Sequence, residues 1–403
     1  MAEATALFLR DGFERTSIDR IAAGAHVSKQ AIYALFQDKV DLFAKVVRAC
    51  LSQQTVDTLP QPEGSVRHVL ETHAIRQFDA YADPDHFGLF RAQVVLARSF
   101  PALASELHEF RRRSGRSLVN YLQNLIDEGL IPPSFSNATD LSTRLGGTTA
   151  EGSRFLLGNT LLTPAQRTEQ VRLTVSLFLG GLRQLPTGEA TEAPLPYALE
   201  PPQLTGTTSM RLKPERFDML CAAAAREFLD QGYETASLDR ILAATGIGRS
   251  TVYRQFGDKL NLFRYVLHRE IDAQWCELGT GPDTSAGPEE RLRRLCRDAL
   301  DLHLDARSVA MHHLLIQDCS IVPDLARRFY AMQVERLRQP FTRLLAEAGL
   351  PPPAPATLRA CHTLATFGMR YIASPRAIDE EERRTESAIA ARILWRGVDA
   401  DGG

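Results

Sequence analysis

Residues 228–263 read FLDQGYETASLDRILAATGIGRSTVYRQFGDKLNLF, and residues 8–43 read FLRDGFERTSIDRIAAGAHVSKQAIYALFQDKVDLF. The two stretches align without a gap at a constant offset of 220, and 15 of the 36 positions are identical. Gly12/Gly232, Asp19/Asp239, Arg20/Arg240, Ile21/Ile241, Tyr33/Tyr253, Phe36/Phe256 and Lys39/Lys259 are among them. Such density marks an internal duplication. Fainter echoes follow each copy: Phe100-Pro101-Ala102-Leu103 against Val322-Pro323-Asp324-Leu325, and Gly152-Ser153-Arg154-Phe155 against Gly368-Met369-Arg370-Tyr371. The duplicated unit therefore extends well past its head.

In the second copy Pro214 suits the first turn of a helix whose inner stripe is Phe217, Leu220, Ala224 and Phe228, and Gly232 ends it. Ser237 is placed to cap a second helix with Leu238, Ile241 and Leu242 inside. Thr245-Gly246-Ile247-Gly248 makes a tight turn into a short third helix, Arg249 to Phe256. Ile247, Val252 and Phe256 anchor that helix. Arg249, Ser250, Thr251, Tyr253 and Arg254 are left facing outward, and Lys259 opens the helix that follows. The first copy repeats each part: Ser17 as cap, Ala25-His26-Val27 as turn, and Ser28 capping a helix with Lys29, Gln30, Ala31, Tyr33 and Ala34 outward. His26 stands where the second copy has a turn glycine, and histidine enters the left-handed region more readily than most residues. Two short helices joined by a turn, the second polar and basic on its free face, make a helix-turn-helix, whose second helix fits a major groove.

The combined pattern G-F/Y-x-x-x-S-x-D-R-I, then V-S-K-x-x-I-Y-x-x-F-x-D-K-x-x-L-F, resembles the tetracycline-repressor (TetR) family over 8–43 and 212–263. The resemblance implies an all-α dimeric repressor. A three-helix DNA-binding domain would precede a helical domain that dimerises and binds a small-molecule inducer. It also implies that Lys29, Gln30, Tyr33 and Lys39, with Arg249, Ser250, Thr251, Tyr253 and Lys259, contact DNA. Ser28, Ala31 and Arg254 complete the candidate set, as neighbours on the two reading helices. The expected fold is all-α, two tandem units of this kind. They divide into DNA-binding domains at 1–48 and 210–269, helical regulatory domains at 49–185 and 270–398, and a linker at 186–209.

Charge fits that division. Residues 1–48 carry net +1 and residues 211–269 net +3 on a chain of net −2, so mildly basic heads sit on an acidic body. The linker, PTGEATEAPLPYALEPPQLTGTTS, lacks apolar periodicity. Leu103, Leu107, Phe110, Leu118, Tyr121, Leu122 and Leu125 recur at helical spacing and predict one apolar face. The stretch Val171, Leu173, Val175, Leu177, Phe178, Leu179, Leu182 is apolar nearly all round and predicts a helix covered on two sides. Within the regulatory domains Phe87, Phe90, Phe155, Phe178, Phe367 and Tyr371 are candidate contacts for an apolar or mixed inducer, though aromatics at this spacing are more often plain core.

Other classes find less support. Paired carboxylates, a nucleophile elbow and metal-ligand spacing are absent from the sequence, so neither an enzyme nor a cofactor is expected. His312 and His313 point about 100° apart on a helix and read as satisfied or exposed side chains rather than zinc ligands. Gly146-Gly147 and Gly180-Gly181 read as close helix packing. The six cysteines are scattered and read as reduced thiols. No leader or long apolar span is apparent, which predicts a cytoplasmic protein without a membrane partner. The expected partners are double-stranded operator DNA and an inducer of unknown identity. The two halves are expected to pair within the chain, with a homodimer as the other arrangement. The runner-up class is an interaction scaffold with one or both reading units degenerate. Met1 aligns with Cys221, so the counterpart of Arg211, Lys213 and Arg216 is missing; either the true start lies upstream, or the first unit binds DNA more weakly than the second.

Overall fold

The computed structural model describes residues 1–53, 64–135, 137–185, 212–276, 278, 286–374 and 377–398; the expected linker and Arg211 lie outside them. No strand occurs among the described residues. The first half runs α1 (Ala2–Asp11), α2 (Ile18–Gly24), α3 (Lys29–Leu35), α4 (Lys39–Gln53), α5 (Val66–Ala82), α6 (Pro84–Ser99), α7 (Pro101–Ser114), α8 (Arg116–Asp127), α9 (Ala138–Ala150), α10 (Gly152–Leu156) and α11 (Pro164–Gly180). The second runs α12 (Pro214–Thr235), α13 (Leu238–Thr245), α14 (Arg249–Phe256), α15 (Lys259–Ala273), α16 (Pro288–His303), α17 (Ala306–Gln317), α18 (Pro323–Glu335), α19 (Arg338–Glu347), α20 (Pro355–Thr366) and α21 (Glu380–Arg396). The order repeats helix for helix, with α10 alone replaced by a run of turns after α20.

Local chemistry sets many of the boundaries. Ser17 and Ser237 accept from the backbone N–H of Arg20 and Arg240 at 3.2 and 3.3 Å, each cap being worth about 1 kcal/mol. Thr163 and Gln166 form a reciprocal capping box at the start of α11. Gly232 interrupts α12 with φ 75 and ψ 173, a conformation essentially confined to glycine.

One expectation is corrected. The apolar stripe from Leu103 to Leu125 is two helices serving two cores, broken at Gly115. Leu103 and Leu107 pack with Phe8, Phe43 and Val47 of the first head, whereas Leu118, Leu122 and Leu125 join the main body. Helical periodicity continues in phase through the break, so it could not reveal the switch from one core to the other. The boundaries at 48/49 and 269/270 fall inside α4 and α15, which run on from head to body. His312 and His313 are both buried, the first of the two alternatives the sequence offered, with His312 Nδ1 2.8 Å from the Ser308 carbonyl oxygen.

The two halves share one interior. The core of the second head is continuous with the bodies of both halves, while the first head keeps a separate cluster around Phe8, Ile21, Ile32 and Phe43. α11 is covered by α5 and α9 of its own half and by α20 and α21 of the other. That explains burial all round Val171, Val175, Leu177, Phe178 and Leu179. α9 meets α20, and α6 meets α17. At the tips of α11 and α21 the contact is backbone on backbone. The Val398 N–H donates to the Phe178 carbonyl at 2.7 Å, and Gly181 and Gly397 both adopt positive φ there. Of the expected close-packing glycines, Gly146 sits against the Gln77 amide, whereas a Cβ at Gly147 would meet nothing within 4 Å.

His303 and His362 are buried beside Gln333 and Arg336 in the second body, and burial pushes their imidazoles down to about 4 and about 3. Because the folded values lie below the ordinary one of 6.5, the unfolded chain takes up protons first as pH falls. The contribution is intact above about 6.5 and is lost as pH drops toward 4. Urea midpoints recorded across that window are expected to fall with acid, and more gently in His303→Gln than in the parent.

Candidate nucleic-acid interface

Each head is a three-helix cluster that holds one short helix outward. In the second, Phe228 and Phe263 meet edge to face at 4.8 Å between ring centres, and Phe217 stacks on Phe256 at 5.9 Å. Thr245 is buried and donates to the Ile241 carbonyl at 3.0 Å. Gly246 then turns left-handed with φ 61, and its carbonyl accepts from the Arg216 guanidinium at 3.1 Å. In the first head His26 takes the same role with φ 54, as its residue type suggested.

The Arg shared by both copies of the S-x-D-R-I stretch braces its own head from the surface. Arg240 Nε lies 2.9 Å from Glu227 Oε1, which also accepts the Ser237 N–H at 2.7 Å. These bonds, the Arg240 pairing first, hold the Glu227 carboxyl below its ordinary range. In the first head Arg20 Nη2 lies 2.7 Å from Asp11 Oδ2, and Asp11 is drawn down to about 2, chiefly by Arg10. The Asp of the signature does something the sequence did not disclose. Asp19 pairs with Lys29 at 2.5 Å, and Asp239 pairs with Arg249. In both heads, then, the first cation of the reading helix is held by the preceding helix at a fully solvated site. The repeat itself carried the signal, since Asp19/Asp239 recur opposite a cation ten residues on.

All the candidate contacts lie on these faces. Lys29, Gln30, Ala31 and Tyr33 are exposed on α3, and Arg249, Ser250, Tyr253 and Arg254 on α14, with Thr251 half-buried. Ser28 is exposed but committed as a cap, accepting the Ala31 N–H at 3.1 Å. Arg254 Nη2 is 3.4 Å from Thr251 Oγ1. Lys39 and Lys259 turn partly inward: their ammonium groups sit 4.3 and 4.8 Å from the centres of the Phe13 and Tyr233 rings. Each also reaches a backbone carbonyl, of Glu14 at 3.3 Å and of Glu234 at 3.5 Å. The heads differ in how firmly the reading helix is seated. Val27 and Leu35 are 46% and 71% exposed, against 3% and 1% for their counterparts Ile247 and Gln255.

The candidate inducer contacts are dispersed. Phe90 packs on Tyr81 at 5.4 Å, and Phe155 on Phe78 at 6.0 Å. Phe87 is half-buried at the rim of the main core. Phe178 lies inside α11, while Phe367 and Tyr371 meet edge to face 5.9 Å apart beneath Arg144 and Arg370. None of them lines either of two cavities in the molecule. One, a small cleft, lies between the first head and the end of α17, bounded by Phe13, Arg91 and Asp318. The other, smaller still, lies in the second body beside Gln333, Arg336 and His362. Sequence periodicity marked these aromatics as buried and could not tell core from pocket lining.

The heads define a class. Residues 1–46 and 220–266 each match the family of bacterial regulatory proteins, tetR family. The chain is 33% identical over 79 residues to the HTH-type transcriptional activator FasR of Mycolicibacterium smegmatis, a match covering 20% of this chain and 36% of that protein. It is 43% identical over 49 residues to an HTH-type transcriptional regulator of Staphylococcus aureus, covering 12% of this chain and 26% of the other. The matches thus span about a third or less of these curated relatives. A solved structure described as a TetR-family transcriptional regulator from Mesorhizobium loti matches at 26% identity and a TM-score of 0.37, covering 43% of this chain and 90% of that one. Among the described residues no helix is long and apolar enough to cross a membrane.

Proposed function

We propose that this chain is a transcription regulator that binds double-stranded operator DNA through α3 and α14. The observation that carries the reading is the pair of helix-turn-helix heads, each presenting a solvated polar helix led by a cation. The halves act as an intrachain pair, which the packing of α9 and α11 on α20 and α21 supports. Because Lys29-Gln30-Ala31 and Arg249-Ser250-Thr251 differ, the two half-sites differ as well. The reading also includes repression relieved by a small molecule held in the helical bodies, on the strength of the tetR-type heads.

Selection of binding sites from random duplex, followed by footprinting and light scattering, tests it. One chain protecting two unlike half-sites about one helical turn (~34–36 Å) apart is the expected result. A two-chain assembly on a perfect palindrome would refute the intrachain arrangement. Lys259 offers a narrower check. Lys259→Met keeps the stem against Tyr233 and is expected to leave stability within about 1 kcal/mol of the parent. Operator binding is expected to weaken evenly across sequences, with the salt slope falling by about one.

A further inference from the structure

Buried charges at the seam between the halves are arranged unequally. Arg144 of α9 is almost wholly buried; its Nε lies 2.8 Å from Asp140 Oδ2, and its Nη2 reaches the Glu386 carboxylate on α21. The guanidinium lies 4.0 Å from the centre of the Phe367 ring. On the other side Glu151 has no solvent contact. Its Oε2 accepts from Arg154 at 2.9 Å within its own half, and its Oε1 accepts from Arg359 of α20 at 3.1 Å. Gln170 Nε2 lies 3.3 Å from the same Oε1.

Aligning the halves through Gly152-Ser153-Arg154-Phe155 and Gly368-Met369-Arg370-Tyr371 brings α11 and α21 into register from end to end. In that register Glu151 corresponds to Phe367, and both are left-handed, with φ 41 and 56. Arg144 corresponds to Ala360, Arg359 to Thr143, and Glu386 to Gln170. The consequence for pairing is specific. A first half docked on another first half would set Arg144 against Gln170, and Glu151 against Thr143. A second half docked on another second half would set Glu386 against Ala360, and Arg359 against Phe367. Either arrangement loses both cross-half ion pairs: in the first, Arg144 and Glu151 keep Asp140 and Arg154 of their own half, and in the second, Glu386 and Arg359 lose the opposite charges they meet across the seam, which is unfavourable for buried groups.

We infer that Arg144, Glu151, Arg359 and Glu386 are a pairing code that admits only a first half against a second half. It rests on the reading of the halves as a working pair and deepens it, by naming what excludes like-with-like assembly. The Glu386 carboxyl is shifted up by burial against the pull of Arg144, as a charge that depends on its partner would be.

Two measurements on the full-length chain test the code. The first is a double-mutant cycle in urea with Arg144→Gln, Glu386→Gln and the double variant. Coupling of about tenfold or more in the folding constant is expected, with Arg144→Lys recovering part of the loss; strictly additive effects would overturn the code. The second is co-expression of two differently tagged copies. Parent chains are expected not to co-purify, whereas R144Q/E151Q/R359Q/E386Q chains are expected to co-purify as two-chain species. A folded quadruple variant that stays single-chain would overturn the code, since a purely stabilising role leaves partner choice unchanged. Should that variant not fold, the cycle decides alone. A parent protein of two-chain mass would instead refute intrachain pairing, and coupling measured on it would still support the code.

Discussion

Gly397→Ala is expected to lose about 2–5 kcal/mol of unfolding free energy in urea, a large fraction of what a folded chain holds in reserve. Gly397 has φ 73 and ψ −170, where residues with a side chain are strained. An added Cβ would also lie 2.1 Å from the Leu179 carbonyl oxygen of the other half. The obstacle is backbone at the tip of a buried helix, so no side chain can swing aside. Gly181 occupies the corresponding place, with φ 65 and a Cβ position 2.7 Å from the Arg396 nitrogen, and Gly181→Ala is expected to act in the same direction. Gly147→Ala is the control. It lies within α9, meets nothing within 4 Å, and is expected to gain about 0.5–1 kcal/mol. A Gly397→Ala chain as stable as the parent would mean that the seam is not closed in solution.

Arg249→Ala is expected to weaken operator binding by about 10- to 100-fold, as removal of a base-reading cation does. Arg249 is the first residue of α14, where a major-groove helix presents its reading residues, and the exposed Asp239 pairs with it in the free protein. Exchanging that surface ion pair for a DNA contact costs little, because exposed pairs are weak. Lys29→Ala is expected to cost less than Arg249→Ala. Lysine lacks the forked donors that match guanine, and α3 is seated by Ile32 with Val27 and Leu35 left in solvent. Titrations of both variants at one salt concentration settle the order; equal losses would show that seating does not matter.

The heads were readable because the turns and caps that shape them are local. Gly232, Ser237 and Gly246 each act within a few residues, and the stripe of Phe228, Ile241, Val252 and Phe256 has a period that one window can catch. Repetition then separated signal from accident. The seam was less readable. The apolar circumference of α11 announced a second covering layer, but the layer comes from α21, and Arg144 and Glu386 lie 242 residues apart. No periodicity joins residues at that distance. Lys39 and Lys259 show a subtler gap. The family resemblance pointed to them as DNA contacts and gave no hint of the rings of Phe13 and Tyr233 that also hold them, which belong to another helix boundary. The broken helix at Gly115 was hidden because its two pieces keep the same phase.

The backbone bond from Val398 to Phe178 closes the seam inside a single polypeptide. A reader assembled from two chains must first find its partner, so its abundance falls with the square of protein number when copies are few. Here each translated chain carries both heads on one seam. With the intrachain pairing proposed above, occupancy of the operator follows gene dosage to the first power, and dilution at cell division halves the reader without also dissociating it.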